Sequence, residues 1–341
     1  MKMKLNRSLF FSLTYEFLHV YLPTQAGCSR WTAKSYRDAL RQFHNYVTDG
    51  LGKSISDFGF TECSRDCIYG FLEWLKGNGN KRSTSNQRLA ALKSYLRFAA
   101  DKDASLLQVL LVIRNIRPMK VVKTCGEVLS EEALSEIFAQ PGNTRKGMRD
   151  LAILILLYDS AMRVSELLNL KVTDLQLERN PPFLRVMGKG SKERIIAISE
   201  KTVPHLELYL KTFHPCDTDI PWLFYTRIKA SVGPMSDSNV ERIITKYSNS
   251  ARCICSEIPA RIHPHMFRRT RATQLYQQGI PIELVARHLG HSCLETTRTY
   301  YAKPSLKMLG NAIASVSDLE FEEKPVWSNK EETLAKLCGL M

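Results

Sequence analysis

Residues 263–301 decide the fold of the second half of the chain, and they read HPHMFRRTRATQLYQQGIPIELVARHLGHSCLETTRTYY. His265 and Arg268 are three residues apart, so at the start of a helix they face the same side. Residues 270–278 are predicted to form a helix that stops at Gly279, because glycine commonly ends helices. The stretch therefore presents a histidine and an arginine together at one helix end.

The second half of this stretch ends in two tyrosines. Residues 282–289 are predicted to form a short helix that Gly290 closes. His291 then lies at a corner between helix and loop, where a side chain can point into a cleft. A further helix from residue 294 carries Tyr300 and Tyr301. Arginine, histidine and tyrosine side chains without a cluster of carboxylates suit an anionic phosphodiester that a phenol attacks.

Three motifs connect the chain to a known family. The pattern HxxR, then LGHS, then a tyrosine nine residues after that histidine resembles the tyrosine recombinases, also called the phage integrase family. Residues 158–170, YDSAMRVSELLNL, resemble the family's first arginine motif, and residues 186–198, VMGKGSKERIIAI, resemble its β-hairpin lysine motif. The motifs follow the family's order. The resemblance covers residues 127–317 closely and the earlier residues only in general character.

The resemblance implies a catalytic set. Its members in this chain are Arg163, Lys189, His265, Arg268, His291 and the nucleophile Tyr300. In the family's chemistry, the two arginines hold the non-bridging oxygens of the phosphate, and the histidine after LG donates a hydrogen bond to it. The first histidine takes the phenol proton, the lysine protonates the leaving 5′ oxygen, and the tyrosine becomes linked to the 3′ phosphate. No metal ion and no cofactor is implied.

Two members of this set have competitors in the sequence. Lys189 stands between two glycines at a predicted hairpin tip, where an ordinary charged turn is common and where Lys192 is the rival for the same role. Tyr301 directly follows Tyr300, although the nine-residue spacing from the LGHS histidine favours Tyr300.

The surroundings of the two arginine motifs add three expectations. Arg163 could pair with Glu166 as on any surface, but we interpret Glu166 as the residue that orients Arg163, since a buried arginine needs an anionic partner. Ala161 stands where the family usually has glycine, which is a small change. Arg269 stands where the family commonly has histidine, and we interpret it as a contact to DNA.

The charge of the chain indicates a nucleic acid partner. The 341 residues carry a formal net charge of +14. The first 120 residues hold 19 Lys and Arg against 9 Asp and Glu, whereas the other 221 hold 29 against 25. A strongly basic chain typically binds nucleic acid through phosphate contacts that release counterions, and the alternative is a merely basic protein. No apolar run reaches the length of a membrane span, so no membrane partner is expected.

The first part of the chain is predicted to be a small helical domain. Its helices are predicted near residues 9–21, 29–46, 61–75, 83–99 and 104–113. The fourth helix mixes basic, hydroxyl and amide side chains, which suits a helix laid against DNA, although solvated surface helices carry such charges too. The predicted DNA contacts are Lys81, Arg82, Arg88, Lys93, Lys120, Lys123, Lys192 and Arg269.

The predicted fold class is mainly α with a small β-sheet. The resemblance implies a helical core-binding (SAM-like) domain in residues 1–117, a linker in 118–126 and an α+β tyrosine recombinase catalytic domain in 127–317. Residues 318–341 are predicted to be a tail that ends in a short helix. The apolar residues of this helix recur at three and four positions, and it could dock on its own domain or on a neighbouring subunit.

The resemblance implies site-specific recombination of double-stranded DNA that carries inverted-repeat core sites. The chain would act as a homo-oligomer, a dimer on each site and a tetramer in the synapse, or together with a related recombinase. We expect it in the bacterial cytoplasm on the nucleoid, in the service of a mobile genetic element. The alternatives are a type IB topoisomerase-like enzyme that relaxes DNA and an accessory DNA-binding protein without catalysis.

Overall fold

The structure is a computed structural model of the chain. It describes residues 8–121, 126–188, 193–215, 220–228, 231–291, 294–301, 308–310, 313, 335–336 and 338–339, with the backbone alone for residues 228, 296, 300 and 301. Two compact units are present, Met1–Lys123 and Thr124–Met341. Lys123, Lys189, Lys192 and most of the predicted tail helix lie outside the described residues.

The first unit consists of helices around an aromatic core. Its α-helices are α1 (Thr14–Glu16), α2 (Arg30–Asn45), α3 (Arg65–Gly77), α4 (Arg82–Lys102) and α5 (Leu107–Arg114). Phe10, Phe43 and Phe71 are fully buried. The ring of Phe43 lies 5.0 Å from that of Phe10 and 5.1 Å from that of Phe71, between ring centroids. Such tilted and edge-on ring pairs bury a large apolar area and hold the helices together.

The first helix predicted for this unit, residues 9–21, is wrong in kind and in extent. The chain forms a 3-10 turn at Phe10–Leu13, then α1, then a π-helix at Phe17–Gln25. Pro23 lies inside this π-helix. Proline has no N–H to donate and its ring crowds the preceding turn, so a regular α-helix could not continue through it.

The other predicted helices of this unit are present with shifted ends. The hydroxyls of Ser29 and Ser64 accept hydrogen bonds from the backbone N–H groups of Thr32 and Cys67, and these caps fix the starts of α2 and α3. The predicted fifth helix is divided into a 3-10 turn at Ala104–Leu106 and α5.

The second unit is organised around one apolar helix. Its α-helices are α6 (Glu131–Ala139), α7 (Arg145–Asp159), α8 (Val164–Asn169), α9 (Val203–Phe213), α10 (Asp237–Arg252), α11 (Pro264–Gln277), α12 (Ile282–Leu289) and α13 (Leu294–Tyr301). Along α7, Ile153, Leu154, Leu156 and Leu157 are all fully buried. Because a helix that is apolar on most sides must be enclosed, α7 forms the core of this unit. In the described ranges, no helix is long and apolar enough to cross a membrane.

Two small antiparallel sheets complete the second unit. The first has the order β1 (Leu175–Gln176), β2 (Phe183–Met187) and β3 (Glu193–Ala197), and the second pairs β4 (Tyr225–Ile228) with β5 (Ser231–Pro234). In the β2–β3 hairpin, Leu184 pairs with Ile196 and both are buried. Alternation of buried and outward side chains fixes this register, because a slip by one residue would expose the apolar set. The fold is therefore mainly helical with small sheets, as predicted.

The helix predicted from residue 270 begins six residues earlier. Pro264 is its first residue, and proline suits that position because its fixed φ is helical and its missing N–H would have no partner there. His265 and Arg268 consequently both lie on α11. The predicted bounds of α12 are confirmed, and Gly290 ends it in the left-handed conformation with φ 65°.

Candidate active site

The turn between α7 and α8 shapes the first part of the site. Ala161 is fully buried and has φ 49°, in the left-handed region, and two residues later Arg163 caps α8. A left-handed backbone costs an ordinary L-residue about 1–2 kcal/mol and costs glycine nothing. This conformation explains why glycine suits the position and why alanine, with a single methyl group, is the smallest departure from it.

Arg163 and Glu166 form a local pair at the start of α8. The backbone N–H of Arg163 donates to Oε2 of Glu166 at 2.8 Å, and its Nη1 donates to Oε1 at 2.8 Å. Glu166 is nearly buried, whereas 34% of the Arg163 side chain remains exposed. The carboxylate therefore binds the backbone N–H and Nη1 of Arg163, while part of the arginine side chain remains exposed to solvent.

A second arginine donates hydrogen bonds to the same carboxylate. Nη1 and Nη2 of Arg194, on β3, donate to Oε1 and Oε2 of Glu166 at 3.0 and 2.8 Å. Burial alone would raise the pKa of Glu166, but the hydrogen bonds from Arg194 and Arg163 outweigh burial and lower that pKa to about 2. Glu166 is thus a carboxylate between two guanidinium groups, and a bidentate pair of this kind fixes both position and orientation.

Arg194 also contacts the corner that follows α12. Its Nε donates to the carbonyl of His288 at 3.4 Å. A Cβ atom added to Gly290 would lie 2.9 Å from Cζ of Arg194, which is closer than side chains approach one another. Two features therefore require glycine at position 290: the positive φ of its backbone and the guanidinium that packs against it.

Arg268 lies deep in the site with only 2% of its surface exposed. Its Nη1 donates to the carbonyl of Ala161 at 2.6 Å, and its Nη2 donates to the carbonyl of Leu289 at 2.6 Å. Nη2 also approaches Nε2 of His291 at 3.0 Å. The carbonyls and the imidazole are neutral acceptors, which hold the guanidinium in place.

His291 is held between two side chains. Besides Arg268 on Nε2, its Nδ1 lies 2.9 Å from Oγ1 of Thr297, which is fully buried on α13. Burial, together with the positive charges of Arg268, Arg163 and Arg194, lowers the pKa of His291 to about 4. The imidazole is therefore neutral at pH 7 in the absence of DNA.

His265 is exposed near the start of α11. Desolvation lowers its pKa, and the positive charges of Arg268 and Arg163 lower it further. His265 is thus a free base at neutral pH within the field of both arginines. Partial burial and Arg271 lower the pKa of His288 to about 4, and its Nε2 is buried without a hydrogen-bond partner among the described residues.

The structure brings together most of the predicted catalytic set. Arg163, His265, Arg268 and His291 lie together, and Glu166 accepts hydrogen bonds from Arg163. Tyr300 lies on α13, which packs against α11 and α12.

Some of the predicted DNA contacts are exposed, and others are engaged in hydrogen bonds within the first unit. Lys81, Arg82 and Lys120 are exposed. Arg88 donates to Oδ1 of Asn80 at 2.7 Å, and the ammonium of Lys93 donates to the carbonyls of Arg114 and Ile116 at the end of α5. Lys93 therefore also has a structural role in the first unit, which the sequence did not indicate.

Arg269 is tied to the start of the second unit. Its Nη1 donates to the carbonyl of Glu127 at 3.1 Å, and a Cβ on Gly126 would collide with its guanidinium. The predicted role of Arg269 in DNA binding stays a prediction, while its contact with the incoming chain is a further role.

The second unit has a basic surface that was not expected from the sequence. It surrounds a cavity of about 490 Å³ next to the start of α7. The residues that line this cavity are Arg145, Arg149, Phe213, Pro215, Tyr225, Thr226 and Arg227. The guanidinium of Arg145 lies 4.9 Å from the ring centroid of Phe213, so the aromatic face helps to hold this cation.

Arg194 and Thr297 are the site residues that sequence reasoning missed. The sequence signal for Arg194 was its position two residues before Ile196, because alternate residues of a strand lie on the same face and Ile196 is on the buried face of β3. Thr297 lies one helical turn before Tyr300, and this spacing alone could have marked it as a neighbour of the site.

Comparison with known proteins agrees with this geometry. Residues 127–306 match the phage integrase family, and residues 16–103 match the N-terminal SAM-like domain of phage integrases. The chain belongs to the phage integrase family. It is by family a tyrosine recombinase, a class of enzymes that cut and rejoin DNA.

Relatives and solved structures are similar along most of the chain. Tyrosine recombinase XerC of Staphylococcus epidermidis is 30% identical over 285 residues, which cover 83% of this chain and 90% of the relative. Tyrosine recombinase XerA of Pyrococcus horikoshii is 31% identical over 297 residues, with 83% and 95% covered.

Two solved structures share the fold. A crystal structure of the XerH site-specific recombinase bound to its difH substrate has a TM-score of 0.65 at 21% identity, with 88% of this chain and 83% of that chain covered. The Tn1549 transposon integrase bound to transposon right-end DNA has a TM-score of 0.66 at 15% identity, with 89% and 99% covered.

Proposed function

We propose that this tyrosine recombinase exchanges DNA strands at specific sites through a 3′-phosphotyrosyl intermediate and a Holliday junction. The observation that carries the proposal is the convergence of Arg163, Arg268, His265 and His291, with Arg163 held by the Glu166 carboxylate. Cleavage of a phosphodiester builds negative charge on the phosphorane oxygens, and fixed cations stabilise that charge most when they need no reorganisation. Arg268, anchored by two carbonyls, meets this requirement.

The neutral state of the histidines supports the assignment of acid and base roles. His265 is a free base at neutral pH and can accept the phenol proton of Tyr300. Arg163 and Arg268 hold the two non-bridging oxygens in this proposal, and His291 donates a hydrogen bond to the phosphate. Lys189 protonates the leaving 5′ oxygen. The phosphotyrosyl bond conserves the energy of the broken bond, so a second 5′ hydroxyl can reseal the strand without ATP.

We assign DNA binding to both units. The exposed Lys81, Arg82 and Lys120 supply phosphate contacts from the first unit, and the basic surface around Arg145 and Arg149 supplies them from the second. The proposed partner is double-stranded DNA with inverted-repeat core sites. A dimer occupies each site and two sites form a tetrameric synapse, as inverted repeats match the two-fold symmetry of a dimer. The protein acts in the bacterial cytoplasm, on the nucleoid.

The test uses a supercoiled plasmid with and without the DNA that flanks the gene. Site-dependent recombinant products, together with a protein–DNA adduct, are expected. Relaxation of both plasmids alike would instead favour a type IB topoisomerase-like enzyme, and binding without any cleavage would favour an accessory DNA-binding protein. Service to a mobile genetic element remains the proposed biological role, and terminal repeats or attachment sites in the flanking DNA would support it.

A further inference from the structure

The contacts of His291 with Arg268 and Thr297 define where its proton lies. An arginine N–H can only donate, so Nε2 of His291, 3.0 Å from Nη2 of Arg268, accepts and carries no proton. Since the pKa of His291 is about 4, the ring is neutral at pH 7 and its single proton is on Nδ1. Nδ1–H therefore donates to Oγ1 of Thr297 at 2.9 Å.

This arrangement is unsuited to a phosphate. A phosphate oxygen is an acceptor, and the Nε2 that faces the arginine has no proton to donate to it. To donate from Nε2, a neutral ring must carry its proton on Nε2 instead of Nδ1. Nδ1 then becomes an acceptor and needs a donor at the same distance. A carbonyl or a carboxylate in place of Thr297 could not supply one, whereas a hydroxyl both accepts and donates.

We propose that Thr297 is a positioning residue for His291, whose hydroxyl accepts from Nδ1–H in the DNA-free protein and donates to Nδ1 once Nε2–H is directed to the scissile phosphate. The inference rests on the proposed function. Thr297 is fully buried, so little water competes with its hydroxyl for the hydrogen bond with the imidazole ring. It lies on α13, one turn before Tyr300, so the helix that carries the nucleophile also sets the orientation of the imidazole.

The first experiment measures the rate of adduct formation on a nicked suicide substrate. Thr297→Val keeps the shape of the side chain and loses the hydroxyl. Thr297→Ser keeps the hydroxyl and loses the methyl group. We expect Thr297→Val to lower the cleavage rate about 10- to 30-fold, the value of one buried hydrogen bond, with half-site binding unchanged. Thr297→Ser should restore most of the rate. Equal rates for wild type and Thr297→Val would overturn the inference.

A double-mutant cycle separates positioning from a general effect on folding. If Thr297 acts through His291, then Thr297→Val should cost no further activity in a His291→Ala background, because the two losses are not additive. Additive losses would assign Thr297 a merely structural role. If the wild type itself forms no adduct, the proposed function fails rather than this inference, so the two failures are distinguishable.

The second experiment observes the ring directly. In protein with ¹⁵N-labelled histidine, we expect the Nδ1–H tautomer of His291 without DNA. In a Tyr300→Phe complex with uncleaved DNA, we expect the neutral Nε2–H tautomer. An Nε2–H ring in the free protein, or a doubly protonated ring in the complex, would overturn the exchange of roles at Thr297.

Discussion

Arg194 and Glu166 are joined by two parallel hydrogen bonds of 3.0 and 2.8 Å, between strand β3 and helix α8. Glu166 also accepts from the side chain and the backbone of Arg163. Arg194 further contacts the carbonyl of His288 and packs against Gly290, immediately before His291. One guanidinium thus connects the hairpin, the first arginine of the site and the corner that carries the histidine.

Arg194→Lys should uncouple these three elements. Lysine keeps the charge but cannot form the two-pronged pair, so we expect adduct formation to slow about 10-fold or more and the free energy of unfolding to fall by about 1–3 kcal/mol. Adduct kinetics and urea unfolding measure the two effects. Arg185→Lys, on the exposed face of β2, is the matched control and should change neither. A wild-type rate in Arg194→Lys would show that Glu166 alone suffices to hold Arg163.

The backbone at Ala161 leads to a prediction about side-chain size. Ala161→Val places a β-branched side chain at φ 49° in a fully buried position whose carbonyl holds Arg268. We expect a loss of about 2–4 kcal/mol in the free energy of unfolding, from left-handed strain and overpacking together. Ala161→Gly relieves the strain and removes one buried methyl group, so it should stay within about 1 kcal/mol of wild type. Thermal unfolding of both variants is the measurement, and a stable Ala161→Val would argue against the left-handed turn.

The nucleophile prediction distinguishes two adjacent tyrosines. Tyr300 is nine residues from His291, the spacing on which its assignment depends. Tyr300→Phe should abolish the covalent adduct on a nicked substrate, whereas Tyr301→Phe should leave it, because only one phenol can be aligned with the phosphate. Denaturing gels detect the adduct. Its persistence in Tyr300→Phe would transfer the role to Tyr301.

Cleavage is expected to continue in excess chelator. Arg163, Arg268 and the predicted Lys189 supply the positive charge and the proton that a metal ion would otherwise provide. The assay is adduct formation with EDTA, and a magnesium-dependent restriction enzyme in the same tube confirms that the chelator is in excess. Strict dependence on added Mg²⁺ would contradict the mechanism.

The sequence predicted local relationships well and tertiary ones poorly. The spacing of His265 and Arg268, and the end of α12 at Gly290, follow from short-range helix rules, and the structure has both. The partners of Arg194 were not foreseen, because Glu166 is 28 residues earlier and His288 is 94 residues later. The first helix was mispredicted because apolar spacing does not distinguish an α-helix from the wider turns around Pro23.

Acid should destabilise the folded protein through its partly buried histidines. The pKa values of His288 and His291 are lowered to about 4, whereas an unfolded histidine titrates near 6.5. Because the unfolded chain binds protons that the folded chain does not, stability is complete above about pH 6.5 and is lost as the pH falls towards 4. His288 contributes up to about 3 kcal/mol, and His291 contributes less because solvent screens its more exposed ring.

His288→Asn tests this linkage. Asparagine does not titrate, and its side-chain N–H can replace the one that His288 directs to the backbone of Ser160. We expect urea unfolding at a series of pH values to show a flatter loss of stability between pH 6.5 and 4 than in wild type. His205→Asn, at an exposed position on α9, is the matched control and should leave the profile unchanged. An unaltered slope in His288→Asn would mean that His288 takes up its proton equally in the folded and unfolded chain, which its burial beside Arg271 argues against.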